Sequence, residues 1–530
     1  MSALSSVGAS ATDVVAQADT LLCADRQFGD SAAIGERNLA RFRLGLTMLA
    51  RHDGEGEKAL RAVAAAADEH LRPLLYDPVL RNCFEVDLVR LESGRLGRSS
   101  FAQMSGYAAG ATADAPSSTG TGPCEALTRP HRPAWPGLGD AWIMTDPAPR
   151  DSAQEMLAGR LMELYRDALG DIRAAGPVDP TDDVRAVLRE GAELLATLLP
   201  SAGAGVLGHV TMVGFTHRES EEGPLQSMSG GDPLPSTVLL APERCTSPWL
   251  AAESLLHEGA HLKLFDALRT GALVANPNER VPIPWRIGRW TLIRVFVALH
   301  FYVHLLVFRA AAATAGEAVR ERFGPPPSAE ELDEPSPGTP AARSGEYRTS
   351  AERARYLAEC VLALPDHALT ENGHRFARWL LTVLRLVDDD APQPPDRTTT
   401  RTTAGTTTRA TAGATAGATT GATTRTRRAD PSPEPGIPAE GVLQQTRPVD
   451  ACALPGLGQL VVSTAGSARM HWLNARSWTV YSLCDGRDFG SVCTAYARAA
   501  GLPAGSEETG RQVGGSLRRL LDAGLVTHSG

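Results

Sequence analysis

Two histidines one helical turn apart give the strongest chemical signal in this 530-residue sequence. The segment LLHEGAHLKL contains His257, Glu258 and His261 in the pattern H-E-x-x-H. On a helix, positions i and i+4 share a face, so both imidazoles can reach one divalent metal ion. Glu258 can then touch a metal-bound water or a substrate. Large apolar residues flank the motif and no proline interrupts it, so the sequence predicts a metal site on a helix.

A catalytic metal site usually has a third protein ligand and one open position. His300 and His304 follow in VALHFYVHLL, again one turn apart on an apolar helix. His300 is the preferred third ligand, with His304 as its alternate or as a group that orients a ligand. Glu279 is the other candidate, at a spacing close to that of thermolysin-like peptidases. However, the prolines of NPNERVPIP keep Glu279 in an extended or looped segment.

The segments around these residues predict a mainly α-helical region with a few short strands. Short β-like runs are expected at 208–216 and 236–240. The motif helix is expected over about 248–270, followed by a loop over 276–284 and a long helix over about 290–313. Apolar residues recur at helical spacing in six further segments, which are 38–51, 57–70, 152–174, 182–199, 350–364 and 371–387.

Composition argues against several classes of protein. The net charge of −9 disfavours a chain whose main task is nucleic-acid binding. Eight cysteines without a C-x-x-C pair disfavour a disulfide scaffold or a cysteine zinc site. The N-terminus lacks the pattern of a secretory signal. The most apolar stretch, 290–308, carries Arg294 and two histidines, and is expected to be a buried helix rather than a membrane span. We therefore expect a cytoplasmic protein without membrane or nucleic-acid partners.

One low-complexity tract divides the chain. Every residue from 397 to 428 is Thr, Ala, Gly or Arg, and proline-rich segments flank the tract. Such a composition has almost nothing to bury and predicts disorder. We therefore expect a helical metal domain over 1–390, a disordered linker over 391–445 and a C-terminal domain over 446–530. Two further polar stretches, 110–136 and 324–345, are expected to be surface loops.

The C-terminal segment has the pattern of a winged helix. Strands are expected over 460–463 and 469–473, around a turn at Gly466. Three helices follow, the first capped by Asn474 and the others covering 489–500 and 513–523. From Arg447 onward there are eight arginines against six acidic residues, a weak excess for a DNA-binding domain.

The motif region resembles a known family. LLHEGAHLKLFDAL, PWRIGRW and VALHFYV, within about 236–312, look like the actinobacterial HExxH motif-containing peptide-modification proteins. Some members are α-ketoglutarate-HExxH enzymes, iron-dependent β-hydroxylases of ribosomally made peptides. The resemblance implies Fe(II) held by His257, His261 and His300, with α-ketoglutarate as co-substrate. Arg286 and Arg289 match the cations that its far carboxylate requires. Members carry Arg-Pro where this chain has Arg289-Trp290.

The C-terminal segment closely resembles a PqqD-like recognition element of the ribosomally synthesised and post-translationally modified peptides (RiPPs). The match rests on Leu473-Asn474, Cys484-Asp485-Gly486 and the segment 520–524. The resemblance implies that a leader peptide binds as an added strand between the third strand and the last helix. The implied peptide-binding residues are Arg469, Met470, His471, Trp472, Leu473, Leu517, Leu520 and Leu521.

Together these features predict an Fe(II)/α-ketoglutarate-dependent hydroxylase of a RiPP precursor peptide. The flexible tether would raise the concentration of bound peptide at the catalytic centre. Two alternatives stay open. One is a zinc metallopeptidase that trims the precursor, with Glu258 as general base and Glu279 as third ligand. The other is a non-catalytic adaptor that only docks the peptide.

Overall fold

The computed structural model describes residues 10–104, 142–144, 152–171, 174, 176–220, 223–285, 288–328, 347–392, 441–464, 468–503 and 505–529. Of these residues 60% are helical and 12% are in strands, which confirms the predicted mainly α-helical fold. The chain forms two compact units, one of residues 1–394 and 448–474, the other of 395–447 and 475–530. The tract 397–428, the loop 110–136 and Gly466 lie outside the described residues, as does most of the loop 324–345.

The larger unit is built mainly from helices. They are α1 (Ala11–Ala24), α2 (Ser31–His52), α3 (Glu57–Ala64), α4 (Asp68–Tyr76), α5 (Pro78–Glu92), α6 (Ser100–Gln103), α7 (Ser152–Leu169), α8 (Asp182–Leu198), α9 (Ala202–Leu207), α10 (Pro248–Leu268), α11 (Leu292–Ala313), α12 (Glu317–Phe323), α13 (Ser350–Leu362) and α14 (Glu371–Val387).

Short strands accompany these helices. They are β1 (Trp142–Met144), β2 (Met212–Phe215), β3 (Glu219–Ser220), β4 (Gly223–Pro224), β5 (Ser227–Ser229), β6 (Thr237–Leu240), β7 (Arg280–Pro282), β8 (Arg289–Thr291), β10 (Asp450–Leu454), β11 (Gln459–Ser463) and β12 (Met470–Leu473). β1, β2, β6 and β5 form one sheet in that order, in which β1, β2 and β6 are parallel and β5 is antiparallel. Every residue of β2 and β6 is buried, as expected for parallel strands covered on both faces.

The motif helix α10 follows directly from this sheet. The chain leaves β6, makes a single 3-10 turn at Pro242–Cys245, and enters α10 at Pro248, a favourable first helical residue. Ser247 caps the helix by accepting a hydrogen bond from the Leu250 backbone N–H at 3.3 Å. α10 is buried on most of its circumference, so packing against its neighbours fixes its position.

Two glycines let neighbouring helices approach α10 closely. A Cβ atom at Gly259 would lie 2.5 Å from Val206 of α9, and one at Gly191 of α8 would lie 2.6 Å from Ala251. Neither distance is possible for real atoms, so larger side chains at these glycines would push the helices apart.

The long apolar helix α11 packs beside α10. Thr291 caps it, accepting from the Arg294 backbone N–H at 3.4 Å. Among the described residues α11 is the one helix long and apolar enough to cross a membrane, and 72% of its most apolar window is buried inside the protein.

The observed elements differ from the predicted ones in places. The proline-broken segment before α11 forms an antiparallel hairpin, in which Arg280 of β7 pairs with Thr291 of β8. Pro282 is tolerated there because it lies on a two-stranded edge. The predicted helix over 57–70 is two helices, α3 and α4. Helices α1 and α5, and strands β7, β8 and β10, lie where sequence periodicity predicted none.

Strands β10, β11 and β12 form an antiparallel sheet that packs on α2 within the larger unit. Val461 of β11 is fully buried in the cluster that contains the apolar face of α2. Asp450 of β10 forms an ion pair with Arg51 at the end of α2. Strands β11 and β12 were predicted within the C-terminal domain, and the proposed boundaries at 390 and 445 stay predictions.

The smaller unit contains three helices and a second antiparallel sheet. The helices are α15 (Ala475–Leu483), α16 (Phe489–Ala500) and α17 (Glu507–Asp522). The strands are β9 (Val442–Gln445), β13 (Asp485–Arg487) and β14 (Val526–Ser529), with β9 in the centre. Val480, Val492, Val513 and Leu517, one or two from each helix, are fully buried in this unit.

A buried ion pair ties α10 to α5. Asp266 of α10 accepts a hydrogen bond from Arg81, which also donates to Ser236 Oγ at 2.9 Å. His209 Nδ1 lies 2.5 Å from the other carboxylate oxygen of Asp266. Burial would raise the pKa of Asp266, but Arg81 and His209 outweigh it and lower the pKa to about 2. The pair therefore stabilises the fold only while Asp266 is ionised.

We expect Asp266→Asn to lower the free energy of unfolding by about 3–5 kcal/mol at neutral pH, because Arg81 would stay buried without its anion. The folded pKa lies below the ordinary value of 3.8. The contribution is therefore complete above that value and is lost as pH falls towards about 2. Urea unfolding followed by circular dichroism measures both effects. Asp232→Asn is the control, since its ion pair with Arg269 leaves Asp232 81% exposed, and should cost less than about 1 kcal/mol. If the difference in unfolding free energy between wild type and Asp266→Asn does not decrease at acid pH, this explanation is wrong.

Candidate metal centre

The H-E-x-x-H segment lies in the middle of α10 and forms a compact group of potential ligands. One ligand atom each from His257, Glu258 and His261 lies within 4.8 Å of the others. Among the described residues this is the one such group of three or more histidine, cysteine or acidic side chains. A group of this size can surround a single divalent ion after small side-chain rotations.

Phe301 of α11 fixes the orientation of both imidazoles. Its ring stacks on His257, with 3.6 Å between ring centroids and 11° between planes. It also lies 5.8 Å from the ring of His261, and the two imidazoles are 4.9 Å apart. His257 keeps 35% of its side-chain surface exposed, so the centre can be reached from solvent. Phe301 thus forms an apolar wall on one side of an accessible group.

The surroundings keep both histidines neutral. Burial, followed by the charge of Arg244, lowers the pKa of His257. Burial, followed by the neighbouring His257, lowers the pKa of His261. Only the neutral imidazole can donate an electron pair to a metal, so both side chains are in the ligand form at neutral pH.

Glu258 is only 3% exposed and is held by strand β5. Its Oε1 accepts a hydrogen bond from Ser227 Oγ at 2.7 Å and lies 3.8 Å from His257 Nδ1. Burial raises the pKa of Glu258, although His261, Ser227 and the backbone of Ser229 oppose the shift. A carboxylate with a raised pKa beside two metal ligands can hold or release a proton at the centre.

His300 and His304, the predicted third ligand and its alternate, lie on α11 but in a different environment. Both are fully buried, and the ring of His300 packs 5.8 Å from Phe376 and 5.9 Å from Trp379. His304 Nδ1 lies 2.8 Å from the backbone oxygen of His300. Neither is part of the 4.8 Å group, and both nitrogens of His300 lack a hydrogen-bond partner among the described residues. Their role as ligands stays a prediction.

The other residues predicted from the motif region are spread over the β7–β8 hairpin. Glu279 is partly exposed in the turn before β7. Arg289 is exposed on β8 and donates to the backbone oxygen of Arg280 at 2.8 Å, and none of its hydrogen bonds or ion pairs reaches α10. Arg286 lies outside the described residues.

The predicted peptide-binding residues belong to different units. Met470, His471, Trp472 and Leu473 form β12, which is an edge strand of its sheet, and the exposed Arg469 precedes it. Leu517 and Leu520 of α17 lie in the core of the smaller unit, where Leu521 is partly buried.

Three further residues shape the centre and were not predicted from the sequence, namely Ser227, Arg244 and Phe301. Ser227 lies 30 residues before the motif and carries no recognisable pattern. Arg244 lies in the 3-10 turn before α10, and its Nε donates to Ser254 Oγ of α10 at 2.8 Å. Phe301 directly follows His300. The sequence therefore predicted the helix that carries Phe301, but not that this side chain faces the centre.

No model of a known protein family matches the chain, and no curated protein matches it. Two neutral imidazoles, a buried carboxylate and access from solvent fit a catalytic divalent metal ion, with iron and zinc both compatible with this set of donors.

We expect His257→Ala and His261→Ala each to lose tightly bound metal while the helical circular dichroism spectrum is kept, because each removes one of two adjacent ligands from an already folded helix. Metal content after dialysis, measured by mass spectrometry, is the test. His217→Ala is the control, since His217 is exposed, pairs with Glu243 and is not part of the group of three ligands. Wild-type metal content in either motif variant would show that the motif is incidental.

Proposed function

We propose that the chain is an Fe(II)- and α-ketoglutarate-dependent hydroxylase that modifies a ribosomally made precursor peptide. The observation that supports this most is the solvent-accessible group of His257, Glu258 and His261 on one helix. Two histidines with one neighbouring carboxylate are a donor set used by non-haem iron oxygenases. The sequence resemblances given under Sequence analysis imply α-ketoglutarate as the co-substrate and a ribosomally made precursor peptide as the substrate.

His257 and His261 would hold the iron, which with α-ketoglutarate supplies the oxidising chemistry. The protein's own residues hold the ligands and Glu258 in position. Phe301 keeps water from one side of the centre and prevents the ring of His257 from turning away. Ser227 and the backbone of Ser229 hold the carboxylate of Glu258 against the two histidines. From there Glu258 can ligate the ion or hold a proton beside an open coordination position.

The edge strand β12 supports the peptide part of the proposal. A strand paired on one side only presents backbone N–H and C=O groups to an extended peptide, which can add to the sheet. β12 belongs to the same unit as α10, so a leader bound there would be attached to the unit that carries the metal group.

A zinc peptidase is the second candidate, and the environment of Glu258 favours it. A buried carboxylate whose pKa burial raises, next to two neutral imidazoles, is suited to take a proton from a zinc-bound water. The substrate would then be cleaved instead of oxidised. The products separate the two functions, and an adaptor would give neither product.

We expect a neighbouring gene to encode a short precursor peptide. Given this peptide, α-ketoglutarate and air, the iron-loaded chain should release succinate and return the peptide heavier by one oxygen atom. Mass spectrometry of peptide and succinate measures both. His257→Ala should give neither, because the iron is not retained. If the zinc-loaded chain cleaves the peptide and the iron-loaded chain releases no succinate, the chain is a peptidase and the proposal is wrong.

We expect the leader peptide to slow hydrogen exchange of backbone amides in β12, because strand addition gives its free edge new acceptors. Exchange measured on the full chain by mass spectrometry, with and without leader, is the test. β10 is the matched control, since it is the opposite edge of the same sheet and should be unchanged. Protection of β10 alone, or of neither edge, would contradict strand addition at β12.

A further inference from the structure

We propose that Arg244 binds the distal carboxylate of the keto-acid co-substrate, an inference that rests on the proposed function. This assigns to the turn before α10 a role that sequence analysis gave to Arg286 and Arg289. The chemical class of ligand is a short dicarboxylate whose keto-acid end binds the metal ion.

The guanidinium of Arg244 lies along the same helix as the metal group. Its Nε donates to Ser254 Oγ at 2.8 Å, and its Nη2 donates to the Leu250 backbone oxygen at 3.4 Å. Ser254 precedes His257 by three residues, which is about 4.5 Å along the helix axis. The two carboxylate carbons of a five-carbon dicarboxylate are four C–C bonds apart, so the molecule is long enough to span this rise.

The positive charge of Arg244 also acts on the metal group. Its hydrogen bonds to Leu250 and Ser254, seven and three residues before His257, place this charge on the face of α10 that carries His257. The two hydrogen bonds to α10 hold the guanidinium in place without neutralising it, because a hydroxyl and a backbone oxygen carry no charge.

The acidic side chain with an ion-pair contact to Arg244 is shared with a second arginine. Glu253, one turn before His257, lies 4.0 Å from Arg244 Nη2 and 3.6 Å from Nε of Arg309. One carboxylate is therefore shared by two guanidinium groups. Glu253 Oε2 makes no hydrogen bond with a described residue, so neither pairing is tight.

Arg244 also keeps a free donor. Nη1 has no acceptor in the described part of the chain, while the side chain is only 20% exposed. A partly buried guanidinium with one uncommitted edge is a strong carboxylate receptor, because the pair forms in a medium less polar than water. Arg289, in contrast, is exposed and already donates to Arg280.

The test compares two ligands that share the keto-acid end. Titration calorimetry without oxygen, on the full chain loaded with Fe(II), measures binding of α-ketoglutarate and of 2-oxobutyrate, which lacks the distal carboxylate. Wild type should prefer α-ketoglutarate. Arg244→Gln should weaken the binding of α-ketoglutarate by about ten- to hundredfold, because a charged hydrogen bond is lost. The affinity for 2-oxobutyrate and the metal content should stay unchanged. Arg289→Gln is the control and should behave as wild type.

Arg244→Lys covers the case in which the Gln variant does not fold. It keeps the cation but loses the forked geometry, so the preference should fall by less than in Arg244→Gln. If folded Arg244→Gln still prefers α-ketoglutarate as strongly as wild type, the assignment is overturned. Where only Arg244→Lys folds, an undiminished preference in that variant has the same meaning. Loss of the preference in Arg289→Gln would be the most direct contradiction. If wild-type protein with bound metal takes up neither keto acid, the proposed function itself fails.

Discussion

The close packing of α10 is the constraint on which the larger unit depends. Gly191 of α8 leaves room for Ala251 of α10, and Gly259 of α10 leaves room for Val206 of α9, so both helices pack closely against α10. The ion pair of Asp266 with Arg81 anchors the end of the helix to α5. Because so much of the circumference is enclosed, the face with His257 and His261 is the part left for a ligand, and its side chains have little freedom to move apart.

The structure of α10 could be read from its sequence because each signal is local. A serine cap, a proline at the first helical position, an uninterrupted apolar stretch and histidines four residues apart all lie within 21 residues. Helix α5 could not be found in the same way. Its inner face carries Arg81, Asn82 and Asp87, which are paired polar groups that hide the apolar periodicity. The β7–β8 hairpin was missed for a related reason, since prolines argue against strands but are tolerated at an edge.

In the candidate centre, too, the residues that lie close together in the sequence were predicted, and those brought in from other elements were not. His257, Glu258 and His261 were predicted together because helix geometry alone brings them together. Ser227, Arg244 and Phe301 come from a strand, a turn and another helix, and only packing places them there. On α11, Phe301 contacts the centre while the ring of its neighbour His300 packs against Phe376 and Trp379, so the role of His300 as a ligand stays a prediction.

The sheet that covers α2 has a consequence for the order in which the chain can mature. Arg51 and Asp450, which pair in the larger unit, are about 400 residues apart along the chain. At typical rates of synthesis, roughly 20–80 s pass between the emergence of α2 and that of its partner strands. During this interval the face of α2 that will meet Val461 stays uncovered on the ribosome. The larger unit is therefore completed late, and a chaperone that shields this helix during translation would raise the yield of folded protein.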